Sequence, residues 1–137
     1  MNGTDDPLMP YEGGCVANDK CQCGRVMSTI DTVAFWVNVN QSLAEPIVEK
    51  LPNYAWFDGS TVTVYSFDGG REGADVVYYR IKGGGHNVPG FETSSPVAQA
   101  LVGSKNRDID GPTEIWKFFN SIDSGDAIAV RDSPLTP

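Results

Sequence analysis

One histidine occurs in the 137 residues, and it lies in Gly83-Gly84-Gly85-His86-Asn87-Val88-Pro89-Gly90. Imidazole is the side chain best suited to moving a proton near neutral pH. Directly before this phrase, Val76-Val77-Tyr78-Tyr79-Arg80-Ile81 reads as a strand. A glycine-rich loop at the end of a strand is where an α/β enzyme places a general base. A second phrase, Asn2-Gly3-Thr4-Asp5-Asp6-Pro7-Leu8-Met9-Pro10-Tyr11, offers a carboxylate to pair with it. A serine hydroxyl is a weak nucleophile until a base takes its proton. The imidazole can do this in only one tautomer, which a buried carboxylate fixes while stabilising the imidazolium. No serine of this chain stands in a Gly-x-Ser-x-Gly frame. Two parts of a three-part device are therefore legible. In isolation, Asp5 and Asp6 before Pro7 are also ordinary turn formers.

The elements that must position these groups follow from periodicity and punctuation. Residues 5–25 are rich in Asp, Pro, Gly and Asn and read as a loop. A helix is expected from Ser28 or Thr29 to about Asn40. Asp31 lies in its first turn, where the helix dipole favours a negative charge. Its apolar stripe is Ile30, Val33, Ala34 and Val37, widened by Phe35 and Trp36. Pro46, Pro52 and Asp58-Gly59 break residues 42–60 into short pieces. Thr61–Phe67 and Asp75–Lys82 read as a hairpin with a longish loop. The second strand is apolar enough for burial on both faces, as in a central sheet strand. A short helix over Val97–Val102 is expected within an irregular stretch. A final helix is capped by Asp110 or Gly111, with Pro112 in its first turn and a buried stripe of Ile115, Trp116, Phe119 and Ile122. Residues 123–137 read as a loose tail after one domain over 1–122.

Composition narrows the class of partner. Hydrophobic residues make up 40% and charged residues 20%, a balance that supports a folded domain with a modest core. The formal net charge of −8, without Lys/Arg clusters, argues against nucleic acid. The apolar runs are too short for a membrane span, and the first residues have neither a basic region nor an apolar core of a secretory signal. Cys15, Cys21 and Cys23 do not have zinc-ligand spacing. A disulfide from Cys15 to Cys21 or Cys23 and three reduced thiols both remain open. No metal or cofactor is expected. Asp108-x-Asp110-Gly111 hints at calcium but lacks the remaining ligands of such a loop, so helix capping is the better reading. The glycines at 83–85 lack the Lys-Ser/Thr of a phosphate-binding loop. Trp36, Trp116, Phe118 and Phe119 are at helical spacing, which favours core over a carbohydrate platform.

Four phrases carry a resemblance. Asn2 through Gly14, Ser28-Thr29 through Phe35-Trp36, Gly84-Gly85-His86-Asn87-Val88-Pro89-Gly90, and Asp108-Ile109-Asp110 through Trp116-Lys117-Phe118-Phe119 resemble, in order, motifs of the polyhydroxybutyrate depolymerase-like and feruloyl-esterase-like α/β-hydrolases. The resemblance spans roughly residues 2–120. It implies the C-terminal portion of an α/β-hydrolase sheet, a strand pair with flanking helices, lacking the nucleophile half. It implies Asp6 as the triad acid and His86 as the base, with Asp5 as the second choice for the acid. The nucleophilic serine and the oxyanion donors of that family lie upstream of the acid motif, so they would come from outside this chain. Val88 stands where the family commonly has Trp. The implied function is serine-esterase hydrolysis of a small or hydroxyalkanoate-like ester by a secreted protein, extracellular or periplasmic. The alternative is a non-catalytic module that self-associates or binds a complementary N-terminal half. A second alternative recruits Ser94 or Ser95, near the histidine loop, as the nucleophile.

Overall fold

The computed structural model describes residues 1–18, 20–92 and 95–124. Its centre is a four-stranded mixed sheet in the order β1-β6-β5-β4, where β1 is Asn2–Gly3, β4 is Ile47–Lys50, β5 is Thr61–Phe67 and β6 is Val76–Lys82. β5 and β6 form the antiparallel hairpin that the β-branched and aromatic runs predict. Thr61 lies opposite Lys82 and Phe67 opposite Val76. β4 adds antiparallel to β5, whereas β1 pairs parallel to β6 at the other edge. The expected strand pair is thus half of a larger sheet. β4 was not anticipated, because its two apolar and two charged residues are too short a run to show a period.

The second strand is central, as expected, and its two faces are covered differently. On one face Val62, Val64 and Ile81 are buried to 3% exposure or less and pack with Ile109. Each such aliphatic side chain contributes about 2 kcal/mol of transfer free energy. On the other face Tyr78 is buried, stacks on Tyr65 with ring centroids 5.6 Å apart, and shares a 2.7 Å hydrogen bond with the Tyr11 hydroxyl. Burial, followed by the bond to Tyr11, pushes the Tyr78 phenol well above its ordinary range. On the first face burial and the neighbouring Glu114 carboxylate do the same to Tyr79, whose hydroxyl donates to Glu114 at 3.0 Å.

The first helix, α1 (Thr29–Asn40), starts where the cap predicts. Ser28 Oγ accepts from Asp31 N at 3.0 Å and donates to Asp31 Oδ2 at 2.7 Å. It ends with Gln41 in the left-handed region, and Ser42 N donates to the Val37 carbonyl at 3.0 Å. α2 is Pro96–Val102 and α3 is Gly111–Ser124. Asp110 caps α3 by accepting from Thr113 N at 2.9 Å, and the bonds from Thr113 hold its carboxyl below the usual range. The part of the expected tail from residue 125 onward lies outside the described residues.

Two expectations about burial are corrected. Of the α1 stripe only Val37 is buried; Ile30, Phe35 and Trp36 are each about half exposed. In α3, Ile115, Trp116, Phe119 and Ile122 are exposed at 44–65%. Both helices are apolar over more of their surface than one contact with this sheet can cover. The periodicity correctly found the apolar positions, but no partner surface covers them among the described residues. Trp36, Trp116 and Phe119 are therefore not core. The loop over 5–25 is pinched by a two-residue antiparallel ladder, β2 (Gly14–Cys15) with β3 (Arg25–Val26). Cys15 and Cys21 are joined as a disulfide, which resolves the pairing, and Cys23 is exposed outside it. No helix among the described residues is long and apolar enough to cross a membrane.

Candidate active site

The acid loop begins where β1 stops. Thr4 N donates to the Ile81 carbonyl and Asp5 N to the Gly84 carbonyl, both at 2.9 Å, so the chain runs on beside the end of β6. Gly83 N returns a 2.9 Å bond to Thr4 Oγ1. The approach is close enough to require glycine. A Cβ on Gly3 would stand 2.6 Å from the Gly85 oxygen and closer still to the Gly84 carbonyl.

From there the two adjacent carboxylates part. Asp5 is exposed and accepts only the Thr4 hydroxyl, at 2.7 Å. Asp6 turns inward, and its side chain is 9% exposed. Its Oδ1 accepts from Leu8 N at 2.8 Å and Met9 N at 2.7 Å, the Asx turn that Asp before Pro favours. Its Oδ2 lies 2.8 Å from His86 Nδ1. Asp6, not Asp5, is the partner of the histidine.

His86 is held mainly through backbone. Its own N–H donates to the Val102 carbonyl at 2.6 Å, and Gly85 N donates to the Ser104 carbonyl at 2.8 Å. Asn87 Nδ2 reaches the Gly103 carbonyl at 3.0 Å. Gly103, with φ of +82° just past α2, lies against Gly85, and neither position has room for a Cβ. The end of α2 therefore forms one wall of the histidine loop, and the acid loop forms the other.

This geometry fixes a tautomer. A carboxylate only accepts, so in the neutral imidazole Nδ1 carries the proton and Nε2 presents a lone pair. The imidazole is 47% exposed. It faces a depression of about 350 Å³ whose lining includes Met1, Asn2, Met9, Asn87 and Val88. The arrangement can take a proton from a hydroxyl and return it to a leaving group. No serine, threonine or cysteine is among the described residues lining the depression. Ser95 precedes α2, its carbonyl accepting from Gln99 N at 3.0 Å, and does not line the depression. Ser94 lies outside the described residues. Among those residues no group of three or more His, Cys, Asp or Glu side chains is placed to hold a metal ion.

Sequence reasoning missed the polar latch behind the site. Asn106, 2% exposed, donates to Ser60 Oγ at 2.8 Å and to Asp108 Oδ2 at 3.0 Å. Asp58 accepts from Ser60 N and Oγ and, through its other oxygen, from Arg107 N. The Asn106 carbonyl takes the Gly90 N–H at 3.0 Å, tying this network to the end of the histidine loop. Asp58-Gly59-Ser60 and Asn106-Arg107-Asp108 are Asx-turn patterns, and that was the available signal. Asn87 and Thr4 were inside recognised phrases, but only the fold shows what they bond.

Comparison with protein-family models, with curated proteins and with solved structures found no match.

Proposed function

We propose that this chain carries the acid and base of a serine esterase built on the α/β-hydrolase plan, with Asp6 as the acid and His86 as the base. The observation that carries the proposal is the 2.8 Å bond from His86 Nδ1 to Asp6 Oδ2, with the carboxylate buried and the imidazole open to a depression. The nucleophile and oxyanion donors come from a polypeptide segment outside these residues. In the reaction Nε2 takes the proton of that serine as its oxygen attacks the ester carbonyl. The imidazolium, stabilised by Asp6, then protonates the leaving alcohol. Water enters by the same route in reverse to release the acid. The substrate class is a small or hydroxyalkanoate-like ester. The parallel β1–β6 pairing beside the two loops supports the fold reading, and the Cys15–Cys21 disulfide supports an extracellular or periplasmic setting.

The test is fragment complementation. The chain is mixed with the serine-bearing N-terminal half of a polyhydroxybutyrate depolymerase-like esterase, and hydrolysis of p-nitrophenyl butyrate is followed. Turnover should appear only in the mixture, fall by about 10⁴-fold in Asp6→Asn and vanish in His86→Ala. If the same N-terminal half works with its own C-terminal half but not with this chain, the reading fails.

The half-exposed Trp36, Trp116 and Phe119 favour a second reading, a non-catalytic module that self-associates or binds a complementary half. A monodisperse monomer in light scattering at high concentration would count against self-association.

A further inference from the structure

A cavity of about 580 Å³ lies between α1 and the sheet, larger than the depression at His86 and lined by different residues. Val33, Ala34 and Val37 of α1 line it on one side, and Tyr65, Phe67 and Tyr78 of the sheet on the other. Such a size and such walls are typical of small-molecule sites, which add a few polar groups that set orientation.

The polar groups here have a definite character. The Tyr11 and Tyr78 hydroxyls are bonded to each other at 2.7 Å. Among the described residues Arg80 is the one cation on the lining, and its guanidinium carbon stands 5.8 Å from the centroid of the Tyr11 ring. Its Nε is buried without a hydrogen-bond partner, and it makes no ion pair among the described residues. Glu12 is the one carboxylate on the lining among the described residues, and it is exposed, where water screens it.

Arg80 is partly exposed, has no counter-ion among the described residues, and leaves its buried Nε–H without a partner. It has five N–H donors in a planar fork that matches a carboxylate. An anion that brought its own apolar body would pair this cation while filling the aromatic and aliphatic walls. We propose that the cavity between α1 and the sheet binds a small carboxylate with an apolar body, its carboxylate on Arg80 and its body along Val33, Val37, Phe67 and Tyr78. An alcohol of the same body offers Arg80 no charge, and an amine is repelled. The assignment does not depend on the esterase reading.

The experiment is a ¹H–¹⁵N NMR titration with octanoate, octanol and octylamine. It uses the wild-type chain, Arg80→Met, Arg80→Lys and His86→Ala. Octanoate should shift the amides of Val33, Val37 and Phe67 and bind at least about tenfold more tightly than octanol, the scale of a charge-assisted hydrogen bond. Octylamine should not bind there. Arg80→Met should lose that tenfold for octanoate and keep the octanol affinity. Arg80→Lys keeps the charge without the fork and should fall between, while His86→Ala should bind octanoate as the wild type does. Equal affinity for octanoate and octanol would overturn the proposal, as would shifts confined to other residues or an Arg80→Met chain that binds octanoate unchanged. Should Arg80→Met fail to fold, the wild-type ligand series and Arg80→Lys decide.

Discussion

Gly3→Ala should separate the acid loop from the histidine loop. Gly3 has no positive φ to lose, so the substitution tests space alone. The new Cβ would stand 2.6 Å from the Gly85 oxygen and nearer to the Gly84 carbonyl, and both are backbone atoms that no rotamer change can move. The loops must therefore part. Three bonds close that junction, Thr4 N to Ile81 O, Asp5 N to Gly84 O and Gly83 N to Thr4 Oγ1, each at 2.9 Å. At about 1 kcal/mol net apiece their loss amounts to about 3 kcal/mol, a large share of a small domain's stability. Gly24→Ala is the control. Its φ is +96° with nothing within 4 Å, so it meets only the backbone cost of about 1–2 kcal/mol. Urea unfolding measures both. The ¹⁵N spectrum of the single imidazole gives a second readout. In the neutral imidazole the wild type should show a protonated Nδ1 and a bare Nε2, and Gly3→Ala a mixture of tautomers. The reasoning is refuted if Gly3→Ala unfolds no more easily than Gly24→Ala and leaves the imidazole spectrum unchanged.

Two further outcomes follow from buried polar groups. Asn106→Ala should cost about 3 kcal/mol in urea unfolding, since it removes three hydrogen bonds and leaves Ser60 and Asp108 short of partners; a loss under about 1 kcal/mol would sink the latch. Tyr78 and Tyr79 both hold their protons more tightly folded than at the ordinary value of 10.0, so the folded state binds more protons in alkali. The stability this gives is fully present below about pH 10 and declines as pH rises beyond it, by about 1 kcal/mol per pH unit for each tyrosine. A chain with both Tyr78→Phe and Tyr79→Phe should lose stability less steeply between pH 10 and 11.5, and an equally steep decline would contradict this cause.

What was legible in the sequence was local. The α1 cap, the β5–β6 hairpin and the α3 cap depend on residues within a few positions of one another; the hairpin stands as read, and of the two residues offered for each cap the structure uses Ser28 and Asp110. β1 and β4 were not legible, because two-residue and four-residue strands exist only through the partners that pair with them. Exposure was misjudged for a related reason. Trp116 and Phe119 have the spacing of a buried stripe, but spacing reports which residues share a face and not whether anything covers that face. The pairing of Asp6 rather than Asp5 with His86 rests in the structure on the Asx turn to Leu8 and Met9, whereas the resemblance reached the same choice by motif position.

The dyad and the uncovered helices are separable. The hydrogen bonds that place His86 against Asp6 come from the end of β6, the acid loop, and the end of α2 with the residues just after it, while Gly90 N to Asn106 O and Gly111 N to Pro89 O, both at 3.0 Å, tie down the far end of the histidine loop. Half of the bonds that place the pair run backbone to backbone, and the rest join a side chain to the backbone. None passes through Trp36, Phe35, Trp116 or Phe119. The glycines at 3, 85 and 103 do the positioning by letting three stretches of main chain touch, and this kind of contact is independent of what lies over the helices. A partner that covered α1 and α3 would bury their aromatic rings and raise stability by mass action. It would find Asp6 and His86 already in hydrogen-bond contact, so under the proposed function a supplied nucleophile would meet a preformed base.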